Sequence, residues 1–554
     1  MVRSRGSGCV TCRHARIRRV KCDEGKPSCQ RCLSTGRNCD GYLPTTSNIS
    51  RRDLAALAQE SSLGERLVLT RRPAQAPASL SPSPLGSARS SPQPRECQLF
   101  DLFRSATGPA TETLAPSSFW TRDILQLAHV EPAVWHAVVA LGGLHCRWHD
   151  DTAKALSLTP PPVHEVELHY HHAVTLAQRM QQPERALALS LALGAVANLM
   201  GSLRESRVHV AAGRNLLCRL GKTDEVRGMA EIVARMDFEA FSFGEATAPY
   251  ELQDPALLRY DVPRNLVITS YEQAISSLLR MLRVVMMSDE GLPTEINGIA
   301  MDGRFEVDLR AWERAMGNFE GGVDISSHEM SALSVRFYHA LVRLGITFVH
   351  PGPETRFDAQ LDLFSRLLVL AEALEQRMGS SIQTMTMEPG LVMALFLIGS
   401  RCRHPVVRWR SARLLLKLNR QEGLWRSDAF GAGLKRIIEV EEEEMQRLSG
   451  GEDERPHSLS ANTLTNLDDG NDIDDRLRAS IAVQWTAWAD PRFALPSLET
   501  WNGVAIIPEE GRIRAFVPTI SVEDRVVSAT FFMSHGIAPS PHLIPRVREE
   551  KCRF

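Results

Sequence analysis

The sequence predicts a mainly α protein: a small cysteine-organised domain at the amino terminus, a disordered linker and a large all-helical domain. Three observations carry that prediction. Six of the eleven cysteines in the 554-residue chain fall between Cys9 and Cys39. Twelve of the 22 residues in 73–94 are proline or serine, a composition that buries too little apolar surface to fold. From 97 to 448, apolar residues return at helical spacing with little strand-like alternation.

The cysteines arrive in pairs: Cys9-Val-Thr-Cys12, then Cys22, then Cys29-Gln-Arg-Cys32, then Cys39. A two-residue gap lets both thiolates of a pair grip one tetrahedral zinc. Two such ions need eight ligand bonds, so two of the six thiolates must bridge, unless a histidine or water completes the shell. His14 is the only nearby histidine. A single structural zinc with two spare cysteines is the simpler alternative. A segment this small and polar has no apolar core, so metal binding is expected to be inseparable from its folding.

Charge concentrates in the same place. Residues 1–45 hold ten Lys/Arg against three Asp/Glu, while the whole chain sums to −2. A positive head on a neutral body points to a local polyanion contact. Arg13, Arg16, Arg18, Arg19 and Lys21 lie between the second and third cysteines. The plainer reading of that run is a solvated face or a nuclear-import signal.

Taken together, Cys9 to Cys12, Arg18-Arg19-Val20-Lys21-Cys22-Asp23-Glu24, Lys26-Pro27-Ser28-Cys29 and Cys32 to Cys39 resemble the fungal Zn(II)2Cys6 binuclear-cluster transcription factors. The resemblance covers essentially all of residues 9–39. It implies two zinc ions, bridged by Cys9 and Cys29, with Cys12 and Cys22 completing one and Cys32 and Cys39 the other. It also implies that Arg18 and Arg19 contact bases and Lys21 the backbone of double-stranded DNA, at CGG-type triplets. Arginine can reach guanine O6 and N7 from a short helix in the major groove. The expected setting is the nucleus, and the expected role is regulation of RNA polymerase II transcription.

One departure stands out. The family carries six residues between its second and third cysteines, whereas nine separate Cys12 from Cys22. Three extra helical residues add about 4.5 Å and 300°, which would turn Cys22 about 60° from its usual face. Three outcomes are open: the surplus His14-Ala15-Arg16 loops out, the cluster forms badly, or the gene model retains three codons that splicing removes. The alternative function is therefore a regulatory protein with an impaired cluster, acting through protein partners without binding DNA.

The organisation expected is 1–45 for the cluster domain, 46–96 for the linker, 97–449 for the helical domain, 450–480 for an acidic disordered loop and 481–554 for a carboxy-terminal segment. Leu54, Leu57, Leu63 and Leu67 give too poor a heptad register for a sustained coiled coil. In the helical domain, Val134, Val138 and Leu141, with Ala137, Leu144 and Trp148 beside them, mark one apolar face. Leu333, Phe337, Leu341, Leu344 and Phe348 mark another; Val407, Leu414, Leu415 and Leu418 a third, with Arg408, Arg410 and Arg413 turned outward. Glu439 and Glu441 to Glu444 read as a solvated helix end, and 504–517, broken at Pro508-Glu509-Glu510-Gly511, as a hairpin. Asp468, Asp469, Asp472, Asp474 and Asp475 read as a solubilising loop or an activation segment.

Phe119-Trp120-Thr121-Arg122, Leu127-Ala128-His129, His136-Ala137, His172-Ala173-Val174 and Phe241-Ser242-Phe243-Gly244 resemble the fungal-specific transcription factor regulatory domain. This implies a helical region that answers to dimerisation, a small-molecule effector or a protein partner.

Enzyme chemistry is not expected. His164 and His169 are five apart, not the four that would align them beside a zinc-bound water. His169, His171 and His172, and His145 with Cys146 and His149, read as surface or buried hydrogen-bonding groups. Neither a Gly-rich phosphate loop nor a Gly-x-Ser-x-Gly turn is present. The isolated cysteines Cys97, Cys146, Cys218, Cys402 and Cys552 suit a reducing interior. Met1-Val-Arg-Ser-Arg reads as no signal peptide, and the longest apolar stretch, residues 186–201, is too short and interrupted for a membrane span.

Overall fold

The computed structural model describes residues 92–148, 158–220, 224–242, 266–288, 295–296, 299–349, 352–378, 384–449, 504–521, 524–534 and 546–554, all within one compact unit. The cysteine-rich head, the leucines of 54–67, the linker up to 91 and the acidic stretch at 468–475 lie outside the described residues. What is described is mainly α, as the periodicity predicts.

Helix α1 (Pro94–Leu102) opens with proline at its first position, where the missing N–H costs no hydrogen bond. Glu96 reaches back to accept the Gln93 N–H at 3.1 Å, satisfying a donor the helix cannot pair itself. After short helical turns at Gly108–Thr111 and Ile124–Ala128 come α2 (Pro132–Trp148), α3 (Val163–Ala177), α4 (Pro183–Leu199), α5 (Leu203–Leu217) and α6 (Asp224–Ser242). The long apolar stretch becomes α4, and its residues from Leu187 to Leu199 are all buried. A helix apolar on every side belongs at a hub. It anchors a first core with Phe103, Trp120, Val138, Leu141 and Ile232. The expected α2 face is there: Val134, Ala137, Val138 and Leu141 are buried. Gly142 lets α1 and α2 meet, because a Cβ there would lie 2.0 Å from the Leu99 carbonyl oxygen.

A second core gathers α7 (Tyr271–Ser288), α8 (Met301–Glu320), α9 (Glu329–Val349), α10 (Leu361–Met378), α11 (Leu391–Arg401), α12 (Pro405–Leu418) and α13 (Ser427–Ser449) around Trp312, Phe337, Leu341, Phe364, Leu395 and Ile438. A two-residue hairpin, β1 (Glu295–Ile296) with β2 (Ile299–Ala300), precedes α8. Small strands β3 (Met385–Thr386), β4 (Gln421–Glu422) and β5 (Trp425–Arg426) pair parallel and then antiparallel. They deliver the Glu422 carboxylate to the start of α11, where it accepts from the N–H groups of Gly390, Leu391 and Val392 at 2.8, 3.1 and 2.9 Å. A carboxylate there answers both the orphan donors and the helix dipole.

The carboxy-terminal sheet corrects one expectation. Strand β6 is Ile513–Ser521 and its hairpin partner is β7 (Val526–Met533), followed by antiparallel β8 (Val547–Arg553); residues 504–508 are not in a strand. β6 is an edge strand, so Pro518 within it leaves no ladder donor missing on a central strand.

The charged residues of α12 and α13 need a second correction. Arg413 is exposed and Arg410 is half-buried against Glu372 at 2.6 Å, but Arg408 is turned inward onto Glu441 at 2.7 Å. Glu441 and Glu444 are buried, and Glu442 is half-buried, accepting the Trp409 indole N–H at 3.2 Å. The helix end is only partly solvated: Glu443 is exposed, whereas Glu441 and Glu444 are buried. It is covered by the sheet: Glu441 accepts the Ile513 N–H at 2.7 Å and Arg403 at 3.0 Å, while Glu443 pairs with Arg548 at 2.7 Å.

Candidate metal centre

The six thiolates Cys9, Cys12, Cys22, Cys29, Cys32 and Cys39, and the basic residues Arg13, Arg16, Arg18, Arg19 and Lys21, all lie outside the described residues. The donor set can still be tested by its chemistry. Six soft thiolates, four of them in two C-x-x-C pairs, suit zinc's preference for sulfur in a closed tetrahedral shell. Two of the remaining cysteines are enclosed elsewhere. Cys146 and Cys402 are buried in the helical body, and burial pushes the Cys402 thiol up to about 12, so it stays protonated and unreactive.

The groups that resembled catalytic motifs fall apart in three dimensions. His164 is exposed and His169 buried, on different faces of α3, as a five-residue gap requires. His145 is fully buried, its Nδ1 2.7 Å from the Thr107 hydroxyl. His171 and His172 are exposed. His209, on α5, lies 2.6 Å from the Tyr170 hydroxyl, and burial lowers its pKa to about 4.

Sequence reasoning missed one grouping. Glu96 of α1, His136 of α2 and His169 of α3 bring one ligand atom each within 4.8 Å of one another. Nδ1 of His136 and Nδ1 of His169 face each other at 2.9 Å. The three residues are 40 and 33 positions apart, so no local spacing announces them.

The Phe119-Trp120-Thr121-Arg122 segment has a structural job. Glu112 accepts the Trp120 and Thr121 N–H groups at 3.0 and 3.2 Å and the Thr121 hydroxyl at 2.7 Å. Burial nonetheless raises the Glu112 carboxyl to about 7. The Trp120 indole N–H donates to Glu388 at 2.7 Å, and Glu388 also accepts from Arg235 at 2.9 Å. One buried carboxylate thus ties Trp120 to Arg235 of α6 within the first core. Of the other residues of that resemblance, Phe243 and Gly244 lie outside the described residues.

Comparison with known proteins places the head. Residues 7–48 match the fungal Zn(2)-Cys(6) binuclear cluster domain. That domain binds two zinc ions, so zinc is the cofactor of this segment. The match ends before the helical body begins. The aspercryptin biosynthesis cluster-specific transcription regulator atnN of Emericella nidulans is 45% identical over 67 residues, 12% of this chain and 10% of the relative. Transcription regulator lscL of Purpureocillium lilacinum is 31% identical over 143 residues, 26% of this chain and 30% of the relative. The Zn(2)-C6 fungal-type transcription factor afumD of Aspergillus fumigatus is 32% identical over 141 residues, 24% and 31% of the two chains. The latter two likenesses are longer than the cluster match, so they extend beyond it. The chain spans between 10% and 31% of the length of these curated relatives. No solved structure matches the chain significantly. No helix among the described residues is long and apolar enough to cross a membrane.

Proposed function

We propose that this chain is a nuclear, sequence-specific DNA-binding regulator of RNA polymerase II transcription and not an enzyme. The observation that carries the reading is the basic run Arg13–Lys21 set inside a six-cysteine zinc domain. Zinc bound by Cys9, Cys12, Cys22, Cys29, Cys32 and Cys39, with Cys9 and Cys29 bridging, supplies the rigidity that so small a segment lacks. Arg18 and Arg19 then meet guanine edges of a CGG-type triplet, while Arg13, Arg16 and Lys21 neutralise phosphates. The names of the relatives, each called a transcription regulator or factor, support the same reading. In this scheme residues 1–45 bind double-stranded DNA, 46–96 link, 97–449 regulate through dimerisation, a small molecule or a partner protein, 450–480 form an acidic loop and 481–554 complete the chain.

The nine-residue gap between Cys12 and Cys22 favours one second reading, a cluster too distorted to grip DNA and a protein that works through partners. Gel shifts of the full chain on duplexes with and without CGG triplets, before and after chelation, separate the two. A chelator-sensitive shift restricted to CGG duplexes supports DNA binding; no shift by zinc-replete protein overturns it.

A further inference from the structure

We propose that Glu96, His136 and His169 form a mononuclear site for a divalent cation of the zinc, cobalt(II) or nickel(II) class, clasping α1, α2 and α3, separate from the cysteine cluster. The donor set comes first. Two imidazoles and one carboxylate are the ligands such borderline cations take. The donors converge from three helices within 4.8 Å, and His169 is 8% exposed.

The histidine pair is the sharper observation. Two imidazole nitrogens facing at 2.9 Å cannot both carry a proton in that gap. Either they share one hydrogen or both lone pairs point at one cation. Two metal–nitrogen bonds of about 2.0–2.1 Å at a tetrahedral angle set their nitrogens roughly 3.3 Å apart. The pair therefore needs to open by only about 0.4 Å, within the reach of small side-chain rotations.

Glu96 is held in place by the Gln93 N–H, an outer partner of the kind that orients metal-bound carboxylates. On the open side, the exposed His172 ring lies 5.3 Å from that of His136, placed to approach as a further ligand. Glu165, four residues before His169 in α3, is paired with Arg95 at 2.9 Å.

The test uses the full chain brought to two zinc ions per chain, which the thiolate cluster takes, and then titrated with cobalt(II). Cobalt bound by nitrogen and oxygen shows visible ligand-field bands without the near-ultraviolet thiolate charge-transfer band. Cobalt exchanging into the cysteine cluster shows both, so the two sites report separately. One equivalent of the nitrogen–oxygen type is expected. His169→Gln and His136→Gln should abolish it, and Glu96→Gln should weaken it by more than the roughly 10- to 100-fold that losing an outer-sphere partner costs. Circular dichroism in chelator checks the fold of each variant; if a histidine variant fails to fold, Glu96→Gln alone decides. Thiolate-type spectra only, or nitrogen–oxygen bands unchanged in Glu96→Gln, would overturn the proposal and would leave the DNA-binding reading untouched.

Discussion

Trp120 donates its indole N–H to Glu388 at 2.7 Å across 268 residues of sequence. The same carboxylate takes Arg235 from α6, and all three side chains are buried. Glu388 therefore joins three distant parts of the chain in low dielectric, where a charge left without its partner is costly.

Glu388→Ala should destabilise the protein by about 3–5 kcal/mol, because Arg235 would be left charged and buried. Glu388→Gln, which keeps an acceptor for Trp120, should cost less. Denaturant melts followed by tryptophan fluorescence measure both.

Glu441 pins the carboxy-terminal sheet onto α13 through Ile513, Arg403 and Arg408. Glu441→Ala removes the shared partner of two buried guanidinium groups, and a loss of several kcal/mol is expected. Arg403 also donates to the Ile513 carbonyl at 3.0 Å and to Glu354 at 3.2 Å, so part of the anchorage should survive. Limited proteolysis should accordingly cut within 504–554 sooner in the variant than in the parent chain.

Gly142→Ala should destabilise by about 1–3 kcal/mol or more through overpacking, since the new methyl falls on the Leu99 backbone. The neighbour is backbone, not a side chain that can swing aside. Thermal unfolding of the two proteins side by side checks it.

His339 is fully buried, its Nε2 2.8 Å from Glu313. Burial outweighs the pull of that carboxylate and lowers the histidine to about 4 from 6.5. The unfolded chain therefore binds a proton between those values that the folded chain refuses. This contribution to stability is complete above about pH 6.5 and is lost as pH falls towards 4. Glu112 acts in the opposite sense, since its carboxyl, raised to about 7, favours the folded state most below 4.5 and less as pH rises through 7. Urea midpoints between pH 4.5 and 7.5 should fall less steeply on acidification in His339→Gln, and more steeply in Glu112→Gln. Parallel curves for all three proteins would contradict both assignments.

On DNA, Arg18→Ala and Lys21→Ala should fail differently. Losing a guanine-reading arginine should cost about 1–3 kcal/mol and relax preference at one base. Losing a phosphate contact should weaken all duplexes alike and reduce the salt slope of binding by about 0.9. Titrations at several salt concentrations on matched and mismatched triplets give both quantities.

Local repetition explains what could be read in advance. The buried face of α2 and that of α9, Leu333, Phe337, Leu341 and Leu344, follow from a period that four turns of sequence already display. The outward reading of Arg408 and the solvated reading of Glu441 and Glu444 failed for a different reason. A charged residue is outward by default, and only a partner from elsewhere in the chain makes its burial tolerable. Glu441 finds its partners at Arg403, Arg408 and Ile513, and nothing near it in sequence names them. The hairpin was misplaced because β6 is an edge strand carrying a proline and a half-buried pattern, which blurs the period-two signal.

The zinc-binding head, the helical class of the body and the faces its helices bury could all be read from the chain alone. The helical faces rest on residues within about one or two turns of one another, and the head on cysteine spacings confined to residues 9–39, so composition and spacing express them directly. Tertiary structure alone decided which buried charges are neutralised, that the last sheet covers α13, and that Glu96, His136 and His169 converge. Those arrangements join residues tens to hundreds of positions apart, and such meetings are set by how the helices pack.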